Sequence, residues 1–216
     1  MNDFLDRIRS GHKHFVENKF KPNIEHYRAL QKAQRPKAFV LTCCDSRFDP
    51  ISLMQMDPGD LFVTRNIANL VAPYDPHLQH KEHLSTMAAL EYAVNVLEVE
   101  HIIVLGHWGC GGIEGAIRND PAVLGQIPHV RQWLIAALES CTRTHEALPD
   151  ATIEEKCRHC ELENVRQSLK NLRTYPFVLE RLERSILRLH GWYFDLPNGS
   201  IKVLNSQTDQ FDPLVD

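Results

Sequence analysis

No apolar run in the 216-residue chain approaches the roughly 18 residues that a membrane span needs. The first ten residues, MNDFLDRIRS, hold no apolar stretch of the kind a secretory leader carries, so a cytoplasmic location is expected. Excess positive charge is also missing. Lys and Arg number 24 against 28 Asp and Glu, a net charge of −4, which excludes affinity for nucleic acid through a broad basic surface. Repeats, low-complexity stretches and Gly/Ser linkers are absent, and charged residues make up an ordinary 24%. Disordered, collagenous and coiled-coil descriptions of the whole chain are thereby excluded. The length suits one domain with its own core. In a reducing compartment the six cysteines are better suited to metal or catalytic work than to disulfides.

Three short apolar runs organise the chain. Ala38-Phe39-Val40-Leu41-Thr42, Leu61-Phe62-Val63-Thr64 and His101-Ile102-Ile103-Val104-Leu105 read as buried parallel strands. Between them, 82–98 reads as a helix, with Met87, Leu90, Val94 and Leu97 on one face. Helical patterns recur at 128–140, 161–173 and 177–189, and interspersed charges over 158–188 read as solvated helix faces. Residues 1–34 carry helix-spaced apolar residues: Phe4, Leu5, Ile8, Phe15, Tyr27 and Leu30. Trp192–Leu196 and Ile201–Leu204 flank an Asn198-Gly199 turn, a hairpin signature. The expected fold is α/β: a mostly parallel central sheet flanked by helices, with an antiparallel edge from the C-terminal hairpin.

Ligands of such sheets sit beyond the carboxyl ends of the strands. Cys43 follows the first strand, and His107-x-x-Cys110 follows the third. Two thiolates and an imidazole suit zinc, and three protein ligands leave a fourth position open, as in catalytic zinc sites. By spacing alone, packing roles for these residues stay open. Cys44 and Cys141 read as structural. Cys157-x-His159-Cys160 resembles half a metal site but lacks a second ligand pair nearby. His77, His80 and His83 have the right chemistry for a proton shuttle, although surface histidines are common. Arg65 reads as a structural residue that pairs with an acid or anchors a dimer, and Trp108 and Trp133 as packing residues.

Taken together, Cys43-x-Asp45-Ser46-Arg47, Arg65-Asn66-x-Ala68-Asn69 and Gly106-His107-x-x-Cys110-Gly111-Gly112 resemble the β-class carbonic anhydrases in order and separation. Glu91-Tyr92-Ala93-Val94 and His190-Gly191-Trp192-Tyr193-Phe194 extend the likeness, which runs from Gln34 to Leu204. It implies a zinc lyase interconverting carbon dioxide and bicarbonate. One Zn2+ per subunit would be held by Cys43, His107 and Cys110, and zinc lowers the pKa of a bound water towards ~7. It also implies a catalytic dyad of Asp45 and Arg47. In the open arrangement Arg47 holds Asp45. In the closed one Asp45 is the fourth ligand and the enzyme is silent.

The substrate-lining residues of the plant-like branch match Gln34, Phe62 and Tyr92. The other branch has a regulatory bicarbonate site that needs a tryptophan where Val40 stands, which favours the open arrangement. Family members form homodimers, often paired into tetramers, with N-terminal helices wrapping the partner and both subunits lining the cleft. The implied organisation is one domain over 1–216, with a helical arm at 1–34 and a catalytic core at 35–216. Neither nucleic acid nor membrane is an expected partner. Two alternatives share these residues: a carbonyl sulfide or carbon disulfide hydrolase on the same scaffold, and a non-catalytic assembly subunit stabilised by zinc.

Overall fold

The computed structural model describes residues 3–77 and 81–215. They fall into two compact units that divide between Arg35 and Pro36. The first holds α1 (Asp3–Phe15), a π-helical turn (Val16–Phe20) and α2 (Ile24–Leu30). Phe20 and Tyr27 pack at 4.8 Å between ring centres and Phe15 meets the Tyr27 edge at 6.0 Å, while Phe4, Leu5 and Ile8 stay exposed.

The second unit begins with β1 (Ala38–Cys43), α3 (Pro50–Met54) and β2 (Leu61–Asn66). Next come α4 (Leu84–Glu91), a π-helical turn (Tyr92–Val96), β3 (His101–His107) and α5 (Gly111–Arg118). Helices α6 (Pro121–Leu124), α7 (Pro128–Trp133), α8 (Leu138–Ala147), α9 (Ile153–Leu172) and α10 (Pro176–Glu183) follow. The chain then forms β4 (Arg188–Asp195), β5 (Ser200–Leu204) and β6 (Phe211–Pro213).

The described strands form one sheet in the order β2-β1-β3-β4-β5-β6. The pairs β1–β2, β1–β3 and β3–β4 are parallel; β4–β5 and β5–β6 are antiparallel. The mostly parallel α/β sheet with its antiparallel C-terminal edge therefore stands as expected. Strand β1 is buried along its whole length, and two apolar cores cover its two faces. A strand wrapped on both sides has no need to alternate, which is why its sequence is a continuous apolar run.

Three differences from the sequence reading have local causes. The helical pattern at 177–189 stops at Glu183, and Ser185 turns left-handed at φ 57°. Arg188 and Leu189 then enter β4. Strand β6 and helix α3 carry too few residues to show a period. Helix α9 begins at Ile153, eight residues before 161, behind a Thr152/Glu155 capping box.

Helix α9 presses onto the sheet. A Cβ on Gly106 would stand 2.7 Å from Val165 Cγ2, so only glycine admits the helix there. A polar ladder on α9 also ties down the chain after β2. Asn164 donates to the Ala68 carbonyl at 2.8 Å, Ser168 to Asn69 at 3.3 Å and Asn171 to Val71 at 2.7 Å. Those side chains hold Ala68 and Asn69 in left-handed backbone, φ 64° and 47°, a conformation that is costly without glycine.

Candidate metal centre

Strands β1 and β3 are parallel neighbours, so their carboxyl ends meet, and Cys43 ends one while His107 ends the other. The Thr42 hydroxyl donates to the Leu105 carbonyl at 2.8 Å and locks the two ends in register. After His107 the chain turns through Gly109, whose φ of +71° disfavours any side chain. Cys110 follows as the N-cap of α5.

One ligand atom each from Cys43, His107 and Cys110 lies within 4.8 Å of the others, and all three residues are buried. No other grouping of three His, Cys, Asp or Glu side chains among the described residues can hold a metal ion. The two sulfurs are 4.0 Å apart. Two Zn–S bonds of about 2.3 Å at a tetrahedral angle would separate them by about 3.8 Å.

His107 is set for the same task. Its Nδ1 lies 3.0 Å from the Trp108 carbonyl oxygen and donates to it, which leaves a lone pair on Nε2. That Nε2 is buried and has no hydrogen-bond partner. An orphaned acceptor beside two sulfurs, on a residue only 1% exposed, is a costly arrangement for packing and a natural one for a ligand. The thiols point the same way. The Cys43 thiol is pulled down to about 4, mainly by the hydrogen bond from Cys110, against its burial. Donating that bond, together with burial, pushes Cys110 up. A dication replacing the shared proton would meet two thiolates and an imidazole, the donor set zinc prefers.

Asp45 and Arg47 stand beside the cluster. Arg47 Nε donates to Asp45 Oδ1 at 2.9 Å and Nη2 to Oδ2 at 2.7 Å; the Arg47 backbone N–H adds a bond to Oδ1 at 2.9 Å. This fork holds the Asp45 carboxyl at about 2, so it is a pure acceptor at neutral pH. Asp45 Oδ2 lies 4.0 Å from His107 Nε2. Arg47 Nη2 also donates to the Gly109 carbonyl at 2.7 Å, which joins the β1 loop to the β3 loop.

Two further residues position these groups. Arg65 donates to the carbonyls of Cys43 (2.8 Å), Asp45 (2.6 Å) and Phe48 (3.0 Å) of the loop that carries Cys43 and Asp45, and it pairs with Asp49 at 3.7 Å. Glu161, on α9, accepts from the Cys110 N–H at 2.9 Å and from the Tyr193 hydroxyl at 2.8 Å, and it pairs with Arg158 at 2.8 Å. Burial pushes its carboxyl up, and Arg158 and the two donors oppose that. The reading of 158–188 as solvated faces fails here, since Glu161 is 2% exposed. Its spacing on the inner stripe with Cys157, Cys160, Asn164 and Val165 was the available signal.

The other candidates fall elsewhere. Phe62 and Tyr92 stack at 5.8 Å, but Phe62 pairs with Phe39, four positions before Cys43 and about 13 Å along the strand. Phe62 packs against one apolar core, whereas Cys43 belongs to the other. Gln34 lies exposed in the first unit, outside regular structure. Cys141 and Cys160 face each other at 3.8 Å in the core between α8 and α9, and His159 Nδ1 lies 3.1 Å from the Thr144 hydroxyl, so the second half-site is a packing feature. His77 is exposed, His83 is buried 4.3 Å from the Trp133 ring centre, and His80 lies outside the described residues.

The family model described as carbonic anhydrase matches residues 38–201. The chain is 38% identical to beta carbonic anhydrase 3 of Arabidopsis thaliana over 202 residues, covering 93% of this chain and 77% of that one. Among solved structures, the beta-carbonic anhydrase CcaA superimposes with a TM-score of 0.90 at 30% identity, over 97% of this chain and 99% of that one. One of two tetrameric beta-carbonic anhydrases from Sordaria macrospora gives 0.81 at 30% identity, over 94% and 98%.

Proposed function

The chain belongs to the β-class carbonic anhydrases, lyases that interconvert carbon dioxide and bicarbonate, and from that premise we propose that it works on a zinc ion held by Cys43, His107 and Cys110. The observation that carries the proposal is the orphaned His107 Nε2, buried and aimed at two sulfurs that are 4.0 Å apart. Bound there, zinc supplies a water nucleophile at neutral pH by lowering that water's pKa towards ~7.

The rest of the chemistry is done by side chains of this chain. Asp45 carries a fixed negative charge beside the cluster and accepts a hydrogen bond from the attacking water, which aims an oxygen lone pair at carbon dioxide. Arg47 keeps Asp45 in that orientation through the two-pronged fork, and a lysine could not reproduce it. Held by Arg47, Asp45 stays available to the water, which is the open arrangement. Arg65 keeps the Cys43–Phe48 loop from drifting by taking three of its carbonyls.

A second copy of the chain completes the site in this reading. Phe62, about 13 Å along the strands from the Cys43 of its own chain, stacks with Tyr92 as an aromatic pair. In a homodimer they would serve the partner's cleft, together with Gln34, whose amide can donate to a bicarbonate oxygen. The tetrameric Sordaria macrospora relative supports assembly beyond the single chain.

Stopped-flow hydration of carbon dioxide from about pH 6.5 to 9, on protein of measured zinc content, tests the reading; the window brackets a water pKa near ~7. Turnover near neutral pH is expected. Stoichiometric zinc with no hydration at any pH overturns it.

A further inference from the structure

The loop from His107 to Cys110 carries two of the three candidate ligands; Arg47 holds its Gly109 carbonyl, the Phe194 carbonyl takes the Trp108 N–H, and a buried side chain from a distant helix holds Cys110. Glu161 lies 51 residues beyond Cys110, on α9, and its side chain is 1% exposed. One oxygen, Oε1, accepts from the Cys110 backbone N–H at 2.9 Å and pairs with Arg158 Nη2 at 2.8 Å. The other accepts from the Tyr193 hydroxyl at 2.8 Å. Arg158 in turn lies over the Trp108 ring, 4.7 Å from its centre. Trp108 supplies the carbonyl that sets the tautomer of His107.

A carboxylate taken out of water is costly unless every lone pair is used, and here the protein spends three partners to keep one. Packing alone would be served as well by leucine. The partners show what the charge does. It grips Cys110 directly, and through Arg158 it presses on Trp108, beside His107. Tyr193 ties the same carboxylate to β4, part of the rigid sheet.

Resting on the metal reading above, we propose that Glu161 is the positioning residue of the centre: it fixes the Cys110 backbone and the Trp108 ring so that Cys110 Sγ and His107 Nε2 converge on one ion. Its essential contribution is as a hydrogen-bond acceptor for the Cys110 N–H. Glutamine keeps that acceptor and the volume, whereas alanine removes both.

The test is zinc affinity, measured by chelator competition on full-length protein well below its melting temperature, together with the absorption spectrum of the cobalt(II)-substituted protein. Glu161→Ala should weaken zinc binding by about 10- to 100-fold, the usual cost of losing a partner behind a ligand, and should shift the thiolate-to-cobalt bands. Glu161→Gln should recover most of that loss. A role confined to fold stability would lower the melting temperature and leave both readouts at wild-type values.

Unchanged affinity and spectrum in Glu161→Ala overturn the proposal, and so does a Glu161→Gln protein as weak as the alanine variant. Should Glu161→Ala not fold, Tyr193→Phe removes one hydroxyl and leaves the carboxylate. It should weaken zinc by about twofold to tenfold, and wild-type affinity there counts against the proposal equally. Failure of the metal reading looks different: wild-type protein would bind no stoichiometric zinc, or Cys110→Ser would bind it as tightly as wild type.

Discussion

Arg47 grips Asp45 through both carboxylate oxygens, at 2.9 and 2.7 Å, from only two residues away in the chain. A pair so close in sequence adopts this geometry because the Arg47 backbone N–H also bonds Asp45 Oδ1, closing a tight local turn. Asp45→Asn should therefore keep fold and zinc but lower carbon dioxide hydration by about 100-fold or more, since the amide cannot accept and orient as the carboxylate does. Arg47→Lys should also fall, because the ammonium cannot fork. Stopped-flow rates at matched zinc content check both, and full activity in Asp45→Asn would remove its catalytic role.

Zinc should also stabilise the fold. A ligand that binds only the native state adds about 2.7 kcal/mol at 100 times its dissociation constant. The melting temperature of chelator-stripped wild type should rise on adding zinc, and activity should return with it. In Cys110→Ser the rise should be lost. A zinc-dependent rise of wild-type size in that variant would take Cys110 off the ligand list.

Packing makes a separate demand at Gly106. Gly106→Ala places a methyl 2.7 Å from Val165 Cγ2, in a core where Val165 is wholly buried. The expected cost is about 1–3 kcal/mol, seen as a lower melting temperature by circular dichroism. An unchanged melt would mean that α9 is free to retreat from β3.

At the amino ends of β3 and β4, His101 Nδ1 and His190 Nε2 stand 3.0 Å apart. Burial first, then electrostatic repulsion from the neighbouring His101 and Arg188, pushes His190 below its ordinary value of 6.5. The unfolded chain therefore binds this proton more readily than the folded one. Stability should be intact above about pH 6.5 and should decline as the pH falls below it. Melting temperatures at pH 7.5 and 5.5 should differ less in His190→Asn than in wild type, and an equal drop in both would exclude His190 as a source.

The strands that carry Cys43 and His107 were legible because each is an unbroken apolar run ending at a ligand, a pattern that only a strand buried on both faces can use. The hairpin was legible from Asn198-Gly199. The end of α10 was not. The apolar period runs on past Glu183, and only the left-handed Ser185 stops it. In the second cysteine group, Cys160 meets Cys141 of α8 across the core, a pairing that spacing within one helix does not show.

By itself, the sequence determined the donor chemistry: two thiols and an imidazole at strand ends, with an acid and an arginine two residues apart beside them. Those are properties of residue type and short spacing. The tertiary structure alone decided which long-range partners hold that chemistry in place. Arg65 reaches back 22 residues to the Cys43 carbonyl and Glu161 reaches back 51 to the Cys110 amide. Phe62 is set beside Phe39, four positions before Cys43, and stacks on Tyr92 away from the cluster. No local pattern encodes such pairings. A buried charge looks like a surface charge in a string of letters, and it becomes a clamp only when packing removes the water around it.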